Sequence, residues 1–432
     1  QELGLSDKAS GDHLLTAVTS FGKGFLNHTP KPTSNRKQIQ KAIDSIPNDP
    51  SGKEMLCQAV GLAIRQYRTY ARGGRYQLVL IVVTDESGDP ESNNRYLELA
   101  ISEAKSVNCK TYVLGREAVF GYPYAHMRWR HPQTNRIHWL RIDRGPETAF
   151  VEQLQTNGFR RRYDSFSSGF GPYEQTRLAR ETSGVFFMLP SVETNLVRGN
   201  VDKRRYQLEA LRPYLPDMRS RLEQIQERDE VPMRSLIWQV IYELSPYNSK
   251  SAKVIEMRMT FSLSPPEFVK QVRIEQAKAK LYLQYLQRAE NAMEEAASLR
   301  EKETSPRWQA NYDLIYAQII AYQARIYEYA AFLEMFVRKP KVVPLAKGPN
   351  TKLVHWDIRT RKELVAASVS QPYIDKATSM FQQVIQDNPG TPWAERARVE
   401  LARGFGIDLV PDYDSTIRRP RISGPLQLIP KL

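Results

Sequence analysis

Tyr76-Gln-Leu-Val-Leu-Ile-Val-Val-Thr-Asp-Glu-Ser-Gly88 decides how the first half of the chain is read. Residues 77–83 are almost wholly apolar and largely β-branched, without polar alternation. That pattern predicts a central strand covered on both faces inside a parallel sheet. The run breaks into Thr84-Asp85-Glu86-Ser87-Gly88-Asp89-Pro90, an acidic, hydroxyl-bearing loop at the strand's carboxyl end, where open α/β sheets bind ligands. Leu97, Ala100, Ile101 and Ala104 then make a helical stripe, and residues 111–114 read as the next strand, closing a βαβ unit. Leu78, Leu80, Val82, Tyr112, Leu114 and Phe187 are the expected core.

Upstream, residues 13–20 read as a strand ending in a Gly22 turn. Thr33 or Ser34 caps a helix carrying Ile39, Ala42, Ile43 and Ile46, and Ser51-Gly-Lys-Glu54 forms a capping box for the next helix. Downstream, regularity fails over about 116–170, an insertion dense in basic and aromatic residues. Arg128, Trp129, Arg130, Arg160, Arg161 and Arg162 are its candidate binding residues, because rings interleaved with cations can stack on bases while contacting phosphates. Order returns at Ser168-Gly-Phe-Gly-Pro172, followed by a helix and a last strand at 185–189.

The second half is mainly helical. Residues 254–261 alternate like an edge strand. Segments 268–300 and 308–336 lack Gly and internal Pro, and the break at Thr304-Ser-Pro306 makes them a long helical hairpin. A linker follows from 338, then a helix pair around Asn388-Pro-Gly-Thr-Pro392 and an extended tail from Ile407.

At 432 residues the chain has room for two or three domains. Lys and Arg exceed Asp and Glu by 62 − 48 = 14, so the field favours anionic partners. Cys57 and Cys109 give no disulfide framework and read as small buried hydrophobes. No apolar run is long enough to span a membrane. The start at Gln1, without Met, suggests a processed or incomplete N-terminus.

The order strand, Gly turn, helix, helix, Val-Val-Thr-Asp-Glu-Ser-Gly, amphipathic helix, Thr-Tyr-Val-Leu-Gly resembles a bacterial von Willebrand factor type A domain over roughly residues 10–190. The resemblance implies an α/β, doubly wound, mostly parallel sheet at 1–195, with the insertion inside it. A helical domain at 196–340 follows, and 341–432 holds the linker, a tetratricopeptide-like helix pair and the tail. It also implies a metal-ion-dependent adhesion site, in which Asp85 matches the third segment and Glu54 stands at the second-loop position, with Ser87 as an added candidate ligand. The family's Asp-x-Ser-x-Ser loop is absent from this sequence, so the expected site is degenerate or incomplete, with Mg²⁺ held only if an upstream loop supplies ligands. In the resembled fold a further strand sits between the strand at 13–20 and that at 77–83. The expectation is therefore that polypeptide upstream of Gln1, or another chain, supplies it.

The function implied is a non-enzymatic protein-interaction or assembly protein, in an extracytoplasmic or cell-envelope location, with the cytoplasm as the alternative. A nucleic-acid or polyanion binder acting through the insertion is the second reading. A metal-dependent hydrolase ranks last, for want of a nucleophile and base constellation.

Overall fold

The computed structural model describes residues 14–72, 76–134, 136–164, 166–189, 206–415 and 427–431. The first half contains β1 (Thr19–Phe21), β2 (Phe25–Asn27), α1 (Arg36–Asp44), α2 (Leu56–Ala71), β3 (Val79–Val83), α3 (Pro90–Ser106) and β4 (Lys110–Gly115). It continues through β5 (Tyr124–Arg130), β6 (Ile137–Asp143), α4 (Tyr173–Glu181) and β7 (Phe186–Met188). Then come α5 (Leu208–Leu211), α6 (Arg221–Glu230), α7 (Pro232–Glu243), α8 (Ser249–Ile255), β8 (Thr260–Phe261), α9 (Pro265–Glu295) and α10 (Ala297–Lys302). The chain ends with α11 (Pro306–Arg338), β9 (Thr351–Arg361), α12 (Ala367–Asp387), α13 (Pro392–Arg403) and β10 (Gly406–Ser415).

The parallel sheet has the order β3-β4-β7. Its crossovers advance in one direction, and right-handed crossovers of that kind put their helices on one side. Accordingly α2, α3 and α4 share a single face, where Leu56, Val60, Ile64, Leu97, Ala100 and Ile101 pack with Val82 and Val113. Cys57 and Cys109 are free thiols buried there. The stripe on α3 is fully inward: Leu97, Ala100, Ile101 and Ala104 are all buried.

Among the described residues no element covers the opposite face, which corrects the expected position of β3. Val79, Ile81, Val83, Val185 and Phe187 are between 45% and 64% exposed. Among the described residues β3 is an edge, pairing with β4 alone. Of the expected core only Val82 is buried, while Leu78 and Leu80 are partly covered and Phe187 faces outwards. The strand expected at 13–20 also differs. His13 lies outside the described residues, and β1 pairs antiparallel with β2 across the Gly22–Gly24 turn rather than joining the parallel sheet.

Two caps differ from expectation. Asn35, not Thr33 or Ser34, caps α1, accepting from Lys37 N at 3.0 Å and Gln38 N at 3.1 Å. The helix α2 starts after Met55 with no side-chain cap, so the Ser51–Glu54 pattern is not a capping box.

The insertion is ordered. β5 and β6 form an antiparallel ribbon, Tyr124 opposite Asp143 and Arg130 opposite Ile137. Beyond the ribbon the insertion buries Leu154, Phe159 and Phe166 in the helical core, together with Phe120. That core surrounds α11, which is apolar on nearly every side and therefore central. α9 runs antiparallel beside it: Phe268 meets Phe336, and Tyr312 Oη donates to the Met293 carbonyl. Tyr282, Tyr312, Tyr322 and Tyr329 are buried there as packing residues. Glu328 of α11 supplies the missing cap of α12, accepting from Val365 N at 2.7 Å and Ala366 N at 3.0 Å.

Of the expected edge strand at 254–261, Val254 and Ile255 end α8, 256–259 are irregular and only Thr260–Phe261 is a strand. The tail expected to be extended from Ile407 is a strand in its described part up to Ser415. β10 pairs along its length with β9, and β9 pairs with β8. The expected boundary near 195 lies outside the described residues.

Candidate functional site

The acidic loop leaving β3 is drawn in from four directions. Gly88 has φ +93, and a Cβ there would lie 2.9 Å from Leu56 Cβ and 3.1 Å from the Glu54 carbonyl. Glycine therefore lets the loop fold back, so that Asp89 N reaches the Glu54 carbonyl at 2.7 Å. Asp89 then caps α3 by accepting from Ser92 N at 2.8 Å. Asn93 donates to the Ser87 carbonyl at 2.8 Å, and Gln175 of α4 donates to the Glu86 carbonyl.

Glu54 lies beside this loop, as its second-loop position in the resemblance implies, and does not cap α2. Thr84 Oγ1 donates to Glu54 Oε2 at 2.9 Å. Ser87 is buried and donates through both N (2.6 Å) and Oγ (2.9 Å) to the Asp143 carbonyl. Asp143 N in turn donates to Glu86 Oε2 at 2.9 Å. Glu86 and Asp143 were not among the predicted site residues. Asp143 arrives from the end of β6, and no local spacing announces it.

Burial pushes the Glu54 carboxyl up, Asp85 and Asp143 reinforce this, and Thr84 opposes it. Burial also raises Glu86, with Glu54, Asp143 and Asp85 adding to the effect, to about 8. Asp143 is raised chiefly by burial, with Asp89 adding and Arg141 opposing. These groups bind protons more tightly folded than unfolded, so their contribution is full below the ordinary carboxylate pKa and is lost as pH rises towards 8. Glu86→Gln is accordingly expected to raise the melting temperature at pH 8 by several degrees and to leave it unchanged near pH 4. An equal shift at both pH values would contradict the raised carboxyl.

Among the described residues no three His, Cys, Asp or Glu side chains converge as metal ligands. The Ser87 hydroxyl donates to a backbone carbonyl, and Glu54 accepts from Thr84.

The insertion's candidates divide. Arg128, Arg130, Arg160 and Arg161 are exposed. Trp129 sits on the inner side of the ribbon among His131 and His138, its ring centroid 5.3 Å and 5.8 Å from theirs. Arg162 is 3% exposed, pairs with Glu400 at 3.2 Å and donates to Tyr322 Oη at 2.7 Å. It is a structural cation and is withdrawn as a binding residue.

Comparison with known families supplies the decisive finding: residues 24–123 match the family model of the von Willebrand factor type A domain. About a quarter of the chain is thus similar to a type A domain. The matched residues run from just before β2 to the threshold of β5, so they take in the acidic loop and two strands of the sheet. No curated protein and no solved structure matches the chain. Type A domains commonly mediate protein–protein interaction, and the two features such a domain offers here are the acidic loop and the bare apolar face beside it. Among the described residues no helix is long and apolar enough to cross a membrane.

Proposed function

We propose that this chain is a non-enzymatic assembly protein whose type A domain engages a protein partner through the open side of its sheet. The observation that carries the reading is the bare face of β3-β4-β7 together with the free edge of β3. Parallel sheets are covered on both faces, and contiguous exposed apolar surface marks interaction sites. Thr84 N donates to the Leu114 carbonyl, so by alternation the amides of Val79, Ile81 and Val83 point away from β4, and an edge of that kind is a template for another strand.

The occupant is a segment with an apolar strand to pair with β3 and an apolar helix face to lie over Ile81 and Phe187. Crossovers that advance from β3 towards β7 cannot provide such a cover, because they place their helices on the face already filled. A separate protein chain meets this description. The helical half, with α12 and α13 as a tetratricopeptide-like pair, extends the partner surface in this proposal. The acidic loop acts as a structural junction rather than a metal centre. A bacterial extracytoplasmic or cell-envelope site goes with the same reading and is tested by fractionating the source cells.

Ile81→Lys combined with Phe187→Lys puts two charges on the bare face without touching the covered one. The doubly substituted protein is expected to melt within a few degrees of wild type and to lose its stoichiometric partner on co-purification from the native source. Retention of every partner by the variant would overturn the proposal.

A further inference from the structure

The ribbon has a dry side and a wet side. Ala125, Leu140 and Ile142 are buried on one. On the other, register sets Tyr124, His126, Arg128 and Arg130 against Asp143, Arg141, Trp139 and Ile137. This wet side consists almost entirely of guanidinium groups and rings.

Two further segments widen it. Arg160 stands over Tyr163 at 5.6 Å from the ring centroid, and that ring meets His126 edge-on at 4.7 Å. Arg161 stands over Tyr247 at 5.2 Å, Tyr247 meets Tyr124 at 5.9 Å, and Arg141 covers Tyr124 at 4.5 Å. Stacking occupies the face of a guanidinium and leaves its N–H edge for an anion. Among the described residues, Arg141 pairs with Asp143 at 3.3 Å and Arg161 with Glu256 at 3.0 Å, and Asp89 and Glu91 lie near Tyr124. The five arginines of the face still outnumber these four carboxylates, in a chain of net charge +14.

We propose that this face binds single-stranded nucleic acid, with phosphates on the arginines and unstacked bases on Trp139 and Tyr163. Trp139 is 42% and Tyr163 40% exposed, so both rings have surface to offer. Side chains two apart on a strand are roughly 7 Å apart, which makes Arg128 and Arg130 rungs of a charge ladder suited to a repeating anion. Duplex is disfavoured because its stacked bases are out of reach of the rings. Acidic polysaccharide is disfavoured because sugar hydroxyls are met by planar amides and carboxylates, and the ribbon's wet side offers only Asp143, already paired with Arg141. The proposal is independent of the partner assigned to the sheet.

The test is fluorescence anisotropy of a labelled oligothymidylate titrated with the full chain at several salt concentrations. Saturable binding is expected, weakening steeply with salt. Arg128→Ala and Arg160→Ala should each make the plot of log affinity against log salt shallower by about 0.7. Trp139→Ala should weaken binding about five- to a hundredfold with the slope unchanged, and Trp139→Phe, which keeps a ring, should restore most of it. All three positions are exposed, and unchanged melting temperatures control for folding. Three results would each overturn the proposal: no saturable binding at low salt, heparin or duplex binding as tightly as the oligonucleotide, or Trp139→Ala binding like wild type.

Discussion

Glu400→Ala is expected to destabilise the helical half by about 3–5 kcal/mol, the cost of leaving buried cations without their counter-ion. Glu400 is 1% exposed on α13 and joins three parts of the chain. It accepts from Arg325 of α11 at 2.7 Å and from both Nη atoms of Arg162 in the insertion at 3.2 Å. Tyr322 Oη and Gln318 Nε2 approach at 3.3 Å. Burial alone would raise this carboxyl, but Arg325, Arg162, Arg403 and Arg396 outweigh it and hold it far below the usual range. Its stabilisation is therefore present above the ordinary carboxylate pKa and is lost only as pH falls towards the depressed folded value, opposite in sign to Glu86. Urea denaturation followed by circular dichroism measures the loss. The double variant Glu400→Leu, Arg325→Leu should be less damaged than the sum of its parts, since removing a pair spares the uncompensated charge. A single Glu400→Ala that unfolds at the wild-type midpoint would contradict the network.

Trp393→Ala should cost about 3–5 kcal/mol by cavity formation in the same core. The ring is fully buried, edge-on to Phe120 at 4.8 Å, 5.0 Å from Tyr214 and beneath Arg307 at 5.2 Å. Its Nε1 donates to Asn311 Oδ1 at 2.7 Å. Arg307 also grips the insertion through Glu147 at 2.7 Å and Glu152 at 2.6 Å. The cavity thus opens where the insertion meets α11 and α13. The expected readouts are a melting temperature lower by several degrees and protease cutting within 144–164 that wild type resists. Trp393→Phe should lose less than half as much, and equal losses would show that the indole is not packed as described.

The parts of the fold that were legible are those whose pattern depends on one neighbour. The α3 stripe needs only a single covered face, and the strand at β3 needs only its own apolar run. What covers β3 was not legible, because an apolar run reads the same whether its second face is filled or waiting. The Ser51–Glu54 pattern misled because the helix starts after Met55 and Glu54 turns to Thr84 instead. β9 and β10 were missed where Pro411 and a register shift between Asp412 and Tyr413 break the period of two. The ribbon was hidden because its wet side is as aromatic as its dry side, so alternation of polarity does not reveal a strand. Around the acidic loop, the contact of Thr84 with Glu54 follows the placement the resemblance implied, whereas Asp143 arrives through tertiary pairing alone.

Hydrogen exchange at three backbone amides tests the central claim most directly. Val79, Ile81 and Val83 are expected to exchange rapidly in the isolated chain, while those of Leu80 and Val82, directed at β4, stay protected. In the assembly purified from the native source the three outward amides should become protected as a strand pairs with them. Protection of all five amides in the isolated chain, or unchanged rapid exchange of the outward three in the assembly, would contradict the open sheet as the partner's docking edge.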